Sequence, residues 1–179
     1  VFVPFLQGKL EDNGYELGPL TQSNSRTIAD FKNLKDLDIL YMSGHGADGR
    51  FSGHQYFAIW TSVPWSSDPS AWEPFRDDLE AARLVPMRAD SGNGASTQNV
   101  WRWAITDRFV DTYVTFTTSS LVIMDACSTS HPRFISAFTN PTKGASVFMG
   151  WDDTVLSSDS AWAYRFFFMR LFGEPVTPS

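Results

Sequence analysis

Three apolar runs stand out along the chain, and each stops abruptly at small or polar residues. They cover Leu37–Met42, Ser120–Met124 and Ala145–Met149. Because the runs are nearly continuous and do not alternate with polar residues, they are typical of strands buried on both faces of a parallel sheet. We therefore predict three buried strands that belong to one sheet.

The spacing of apolar residues also predicts helices between and after these strands. Ile28, Phe31 and Leu34 recur at helical spacing, and Gly173 follows a longer pattern of the same kind. We predict helices over residues 23–34, 70–84, 98–110 and 157–172. Strands that alternate with helices indicate an α/β fold, with a mainly parallel sheet and helices on both faces.

The remaining patterns are weaker. Residues 1–6, 55–61 and 113–116 are predicted to be short strands, and residues 89–96 an exposed loop. A chain of 179 residues has the length of one domain. We therefore predict a single domain over residues 1–179, in which residues 50–118 form an elaboration.

Composition and charge exclude some partners. The formal net charge of −6 provides no basic surface for nucleic acid or for an anionic membrane. No apolar run approaches the length that a membrane span requires. The chain opens at Val1 without a methionine, so targeting stays open, with a secreted or cell-surface protein as one alternative. The oligomeric state is also left open.

The only cysteine and one histidine follow two of the buried strands. The apolar runs end at Ser43–Gly46, at Asp125–Cys127 and at Gly150–Trp151. In open parallel sheets, ligands bind beyond the carboxyl ends of the strands. Cys127 and His45 should therefore leave the sheet at the same edge, which brings a candidate nucleophile near a candidate base.

These residue types suit acyl transfer. The thiolate of Cys127 is the attacking form, and His45 could promote it or protonate the leaving amine. Gly46 allows the backbone to approach a substrate closely. Its N–H, together with that of Cys127, could stabilise the oxyanion of a tetrahedral intermediate.

Two segments carry a family resemblance. Tyr41–Gly46 (YMSGHG) and Val122–Ser128 (VIMDACS) resemble the caspase-like superfamily of cysteine peptidases, which includes caspases, gingipains, clostripain-like enzymes and separases. Gly150–Trp151 after the third strand is in keeping with this resemblance. The resemblance implies a caspase-like fold, a peptide or protein substrate and no cofactor.

The resemblance also implies roles for individual residues. Cys127 would be the nucleophile, His45 the general acid and base, and Gly46 an oxyanion donor in an endopeptidase that forms a thioester intermediate. Asp125 would form the floor of a pocket for Arg or Lys at P1. We expect Trp151 to pack in the fold and to contact substrate as well.

Several alternatives stay open. Cys127 could be a buried structural thiol, and Asp125 could order its own turn by accepting backbone N–H groups. The whole chain could be an inactive caspase-like domain that serves as a binding module. A metal site lacks ligand spacing typical of zinc, and a serine hydrolase lacks its Gly-x-Ser-x-Gly motif. Glycosidase carboxylates leave no sequence spacing to find. His131 is expected to be a solvated loop residue.

Overall fold

The computed structural model describes residues 2–18, 27–89 and 100–174. The chain divides into two compact units, of which the smaller comprises Val1–Ser23 with Val155–Ser179 and the larger Asn24–Thr154. The prediction of a single domain stays a prediction.

The described elements follow one another in a mixed order of helices and strands. In chain order they are α1 (Phe2–Asp12), α2 (Ile28–Lys32), β1 (Leu37–Ser43), β2 (Gly46–Phe51), β3 (His54–Pro64), α3 (Pro69–Trp72), α4 (Arg76–Glu80), β4 (Leu84–Ala89), β5 (Val100–Thr106), α5 (Asp107–Tyr113), β6 (Phe116–Asp125), α6 (Pro132–Thr139), β7 (Ala145–Met149) and α7 (Ser157–Leu171).

The three apolar runs form a parallel sheet in the larger unit. Its strand order is β1-β6-β7, and both pairings are parallel. Val122, Ile123 and Met124 of the central strand are fully buried, which explains their continuous apolar character. The α/β class and these three strands are confirmed. β1 and β6 end in register, with Ser43 opposite Asp125.

A second sheet is antiparallel, with strand order β2-β3-β5-β4. The parallel arrangement therefore holds for the first sheet alone. β2 and β3 form a hairpin whose two turn residues, Ser52 and Gly53, have φ values of 47° and 80°. Positive φ at both positions matches the twist of the flanking strands. The strand predicted at residues 55–61 is confirmed within β3.

The helix predicted over residues 98–110 is wrong, because β5 occupies its first part and α5 follows. Trp103 and Ile105 of β5 lie in one hydrophobic cluster and Ala104 in another, so both faces of the strand are buried. A strand buried on both faces imitates the apolar spacing of a helix. Thr106 then caps α5 by accepting a hydrogen bond from the N–H of Phe109. Because α5 extends to Tyr113, the strand predicted at 113–116 begins only at Phe116, where β6 starts.

The helix predicted over residues 70–84 is interrupted. Asp68 caps α3, a single 3₁₀ turn over Glu73–Phe75 separates α3 from α4, and β4 begins at Leu84. Pro74 lies within that turn, where its ring and missing N–H oppose a continuous helix. Helix α2 is shorter than predicted and is capped by Thr27. The predicted start of α2 at residue 23 or 25 and most of the predicted loop at 89–96 lie outside the described residues.

The smaller unit contains α1 and α7, which contact each other. The strand predicted at residues 1–6 is wrong, because residues 2–6 begin helix α1, and Pro4 is tolerated within its first turn. Helix α7 is confirmed, but its buried residues are Ser160, Tyr164 and Phe168, while Trp162 and Phe166 are exposed. No helix in the described parts of the chain is long and apolar enough to cross a membrane.

Candidate functional site

Cys127 lies at a sharp turn between strand β6 and helix α6. Ala126 before it is buried, whereas Cys127 itself is half-buried. The next residue, Ser128, has a φ of 55°, a left-handed conformation that residues with a side chain rarely adopt. Strained backbone of this kind concentrates at functional sites, where the surrounding structure holds it in place.

Thr129 fixes this turn from inside. Its hydroxyl is buried and lies 2.8 Å from the carbonyl oxygen of Met124 and 2.9 Å from that of Ala126, to which it donates. The hydroxyl oxygen of Thr129 also accepts a hydrogen bond of 3.1 Å from the backbone N–H of Trp151. One side chain therefore joins the end of β6, the Cys127 turn and the segment after β7. No sequence motif points to this role of Thr129.

The segment after β7 supports the same turn through its backbone. Ser128 donates to the carbonyl of Asp153 over 3.1 Å, and Ser130 donates to the carbonyl of Trp151 over 2.8 Å. Trp151 is therefore brought to the Cys127 turn by its main chain. Its side chain is partly buried.

The end of β1 lies against the same turn. Gly44 donates a hydrogen bond of 3.1 Å to the carbonyl of Asp125. A β-carbon on Gly46 would collide with the carbonyl oxygen of Cys127 and would lie 3.0 Å from the ring of Phe57. Only glycine therefore allows the two backbones to approach this closely.

His45 is exposed, and its ring is fixed from the antiparallel sheet. Its carbonyl accepts a hydrogen bond of 2.8 Å from the N–H of Trp60, and the two rings meet edge to face at 5.1 Å. Trp60 is itself held because its indole N–H donates to the carbonyl of Met87 over 3.0 Å. The observed ring contact of His45 is thus with Trp60, while its neighbour Gly46 makes the backbone contact with Cys127. Trp60 was not among the residues expected from sequence.

Asp125 is buried, with 7% of its surface exposed, and its Oδ2 accepts a hydrogen bond of 2.5 Å from the hydroxyl of Tyr41. Tyr41 is the only described side chain that donates to this carboxylate. A carboxylate has room for about four donors, so Asp125 retains acceptor capacity.

His131 differs from its expected role as a solvated loop residue. It is half-buried, its Nδ1 accepts from the N–H of Arg133 at the start of α6, and its ring stacks on Phe57 at 5.5 Å. Among the described residues, no three His, Cys, Asp or Glu side chains lie close enough to hold a metal ion.

The chain was compared with protein-family models, with curated proteins and with solved structures. None of the three comparisons finds a match.

Proposed function

We propose that this chain is a cysteine endopeptidase with a caspase-like fold, in which Cys127 and His45 form a catalytic dyad. The observation that carries the proposal is the contact between the Gly46 backbone and the carbonyl of Cys127, at the ends of neighbouring parallel strands. This contact brings the segment that follows the histidine to the turn that carries the thiol. The strained φ of Ser128 beside Cys127 is a second, independent support.

In the proposed reaction, the thiolate of Cys127 attacks the carbonyl carbon of the scissile peptide bond. The tetrahedral intermediate collapses to a thioester as His45 protonates the departing amine. Water then attacks the thioester, His45 accepts a proton from it, and the carboxylate product leaves with the thiol restored. The edge-to-face contact with Trp60 limits the rotation of the His45 ring, which favours one direction of proton transfer.

The N–H of Gly46 is suited to bind the oxyanion. In an antiparallel pair, every second residue directs its N–H and C=O away from the partner strand. The hydrogen bond from Trp60 to His45 identifies those two as a hydrogen-bonded pair, so the adjacent Gly46 directs its N–H away from β3. A preorganised donor of this kind acts on charge that develops in the transition state.

Asp125 is the proposed selector of Arg or Lys at P1. Its carboxylate is buried near the nucleophile, and the Tyr41 hydroxyl orients one of its oxygens. A guanidinium that reaches the remaining lone pairs would form a charge-assisted pair. Arg should be preferred to Lys if both guanidinium N–H groups make contact.

The test is cleavage of a peptide with Arg at P1 by the wild type and by Cys127→Ala. We expect Cys127→Ala to lose all cleavage and to keep the melting temperature of the wild type, because the turn is held by Thr129 and by backbone contacts. Ser130→Ala in the same turn is the matched control and should remain active. Full activity of Cys127→Ala, or an inactive wild type, would contradict the proposal.

A further inference from the structure

Strand β2 begins at the candidate site and forms an edge of its sheet. In the described parts of the chain it pairs with β3 alone, from Gly46 opposite Ile59 to Phe51 opposite His54. An edge strand presents a row of N–H and C=O groups that can accept a further strand.

The register shows which groups face this free edge. His45 and Trp60 are a hydrogen-bonded pair, and the two-residue turn makes Phe51 and His54 another. Because the pattern alternates, Gly46, Asp48 and Arg50 direct their N–H and C=O groups away from β3. The same edge therefore carries the proposed oxyanion donor and two further backbone positions.

Among the described residues, no strand pairs with this outer edge. Asp48 and Arg50 are exposed, and neither side chain has a hydrogen bond or ion pair with a described residue. Gly49 directs its N–H and C=O groups toward β3, and the ring of Tyr56 from β3 covers it. This contact stabilises the pairing of β2 with β3.

We propose that an extended substrate segment adds to the free edge of β2 as an antiparallel strand, with P1 opposite Gly46, P3 opposite Asp48 and P5 opposite Arg50. This inference rests on the proposed peptidase function. The carbonyl of P1 must meet the N–H of Gly46, and the edge runs on from that contact without interruption. Antiparallel pairing is the more stable of the two possible directions.

The pairing involves both the backbone and the side chains of the substrate. The N–H groups of P3 and P5 donate to the carbonyls of Asp48 and Arg50, whereas those of P2 and P4 point away from β2. Side chains directly opposite on one face interact, so Asp48 favours a basic P3 residue and Arg50 an acidic P5 residue. Backbone hydrogen bonds supply affinity, and these charges supply a modest preference.

Proline at position 48 tests the proposed ladder, which is the set of backbone hydrogen bonds between β2 and the substrate. Because the N–H of Asp48 faces outward, Asp48→Pro removes no bond to β3 and belongs to the edge positions where proline is tolerated. We expect Asp48→Pro to lower kcat/KM about tenfold for an acylated pentapeptide amide ending in Arg, and less than about twofold for acetyl-Arg amide. Asp48→Ala keeps the N–H and should lose only the preference for a basic P3 residue.

Substrates methylated on a backbone nitrogen test the register between the substrate and β2. A pentapeptide methylated on the P3 nitrogen should be cleaved about tenfold more slowly by the wild type, and one methylated at P2 should be cleaved normally. In Asp48→Pro the penalty for methylation at P3 should become smaller, because the proline removes the other bond of the same pair, from the N–H of residue 48 to the carbonyl of P3. If Asp48→Pro does not fold, Arg50→Pro provides the same comparison at P5.

The outcomes separate this inference from the proposed function. If the wild type cleaves neither the pentapeptide nor acetyl-Arg amide, the proposed function fails. If the wild type cleaves both, but Asp48→Pro lowers both rates equally or changes neither, the β2 ladder is contradicted and the peptidase stands. A methylation penalty at P2 in place of P3 would likewise contradict the β2 ladder.

Discussion

Gly46 is the residue at which one added methyl group would disturb the site most directly. Its missing β-carbon leaves the space that the carbonyl oxygen of Cys127 fills, and the ring of Phe57 closes the other side. The main chain of Cys127 cannot yield without moving the turn that Thr129 holds. This contact couples the position of the proposed oxyanion donor to the position of the thiol.

We expect Gly46→Ala to reduce kcat/KM by about 10²-fold to 10³-fold, the loss typical of removing one oxyanion donor. The melting temperature should also fall, because the added methyl group has to displace backbone. Gly8→Ala is the control, since a β-carbon there would meet nothing within 4 Å. Unchanged kinetics of Gly46→Ala would remove Gly46 from the site.

Asp125 allows a second test at the residue scale. If its charge selects a basic P1 residue, Asp125→Asn should lower kcat/KM tenfold to a hundredfold for Arg and Lys substrates, as for loss of ~1.5–3 kcal/mol, with little change for Gln. Tyr41→Phe, which removes the hydroxyl but keeps the carboxylate, should retain the preference. An equal loss for Arg, Lys, Gln and Asp substrates would mean that Asp125 only orders its turn.

Single residues also mark the limit of sequence-based prediction at this site. Cys127, His45 and Gly46 could be placed just after buried strands from the sequence, because strand ends can be recognised from apolar runs. Thr129 and Trp60 could not be recognised, because their roles depend on contacts with segments that are distant in sequence. A threonine one residue past Ser128 has no pattern that distinguishes it from a surface residue.

At the scale of elements, the buried carboxylate of Asp78 connects three helices. Its side chain is almost fully buried and forms ion pairs of 2.5 Å with Lys32 on α2 and with Arg83 beyond α4. It also accepts a hydrogen bond of 2.7 Å from the hydroxyl of Tyr113 at the end of α5. Breaking such a network leaves buried charges without partners.

Burial alone would raise the pKa of Asp78, but the hydrogen bonds from Lys32, Arg83 and Tyr113 outweigh it and hold the pKa below its usual value. A carboxyl group with a lowered pKa in the folded state adds stability above its unfolded pKa of about 3.9, and this stability is lost as the pH falls further. Asp78→Asn should therefore lower the free energy of unfolding by about 3 kcal/mol at neutral pH.

The same variant should lose part of the acid dependence of stability below about pH 4, which urea unfolding at several pH values would measure. Asp77→Asn is the control, because Asp77 is exposed on the same helix. If the two variants were equally stable across this pH range, the network would contribute nothing.

Elements were predicted well where burial on both faces coincided with a parallel strand, as in β6. The same burial in β5 resembles a helix in sequence, because a strand with both faces buried shows no alternation of apolar and polar residues. β2 was missed since its sequence, GADGRF, is polar and rich in glycine. Its stability comes from the hairpin turn and from Tyr56, which its own sequence does not display.

At the scale of the molecule, both sheets of the larger unit share one hydrophobic core. The core cluster includes Leu40 of β1 and Val122 of β6 together with Ile59 of β3 and Ile105 of β5, and Phe134 of α6 is fully buried within it. A core that continues from one sheet into the other holds the His45 and Cys127 segments in a fixed relation. The antiparallel sheet thus supports the candidate site.

The central claim is that Cys127 is a thiol activated by His45, and the rate of alkylation by iodoacetamide tests it most directly. Because the chain has one cysteine, every modification reports on this residue alone. Activation predicts that Cys127 reacts faster near pH 6–7 than a free thiol, whose pKa is about 8.5. It also predicts that His45→Ala slows the reaction, while His54→Ala does not. A wild type that reacts no faster than a free thiol, or a His45→Ala variant with an unchanged rate, would contradict the account.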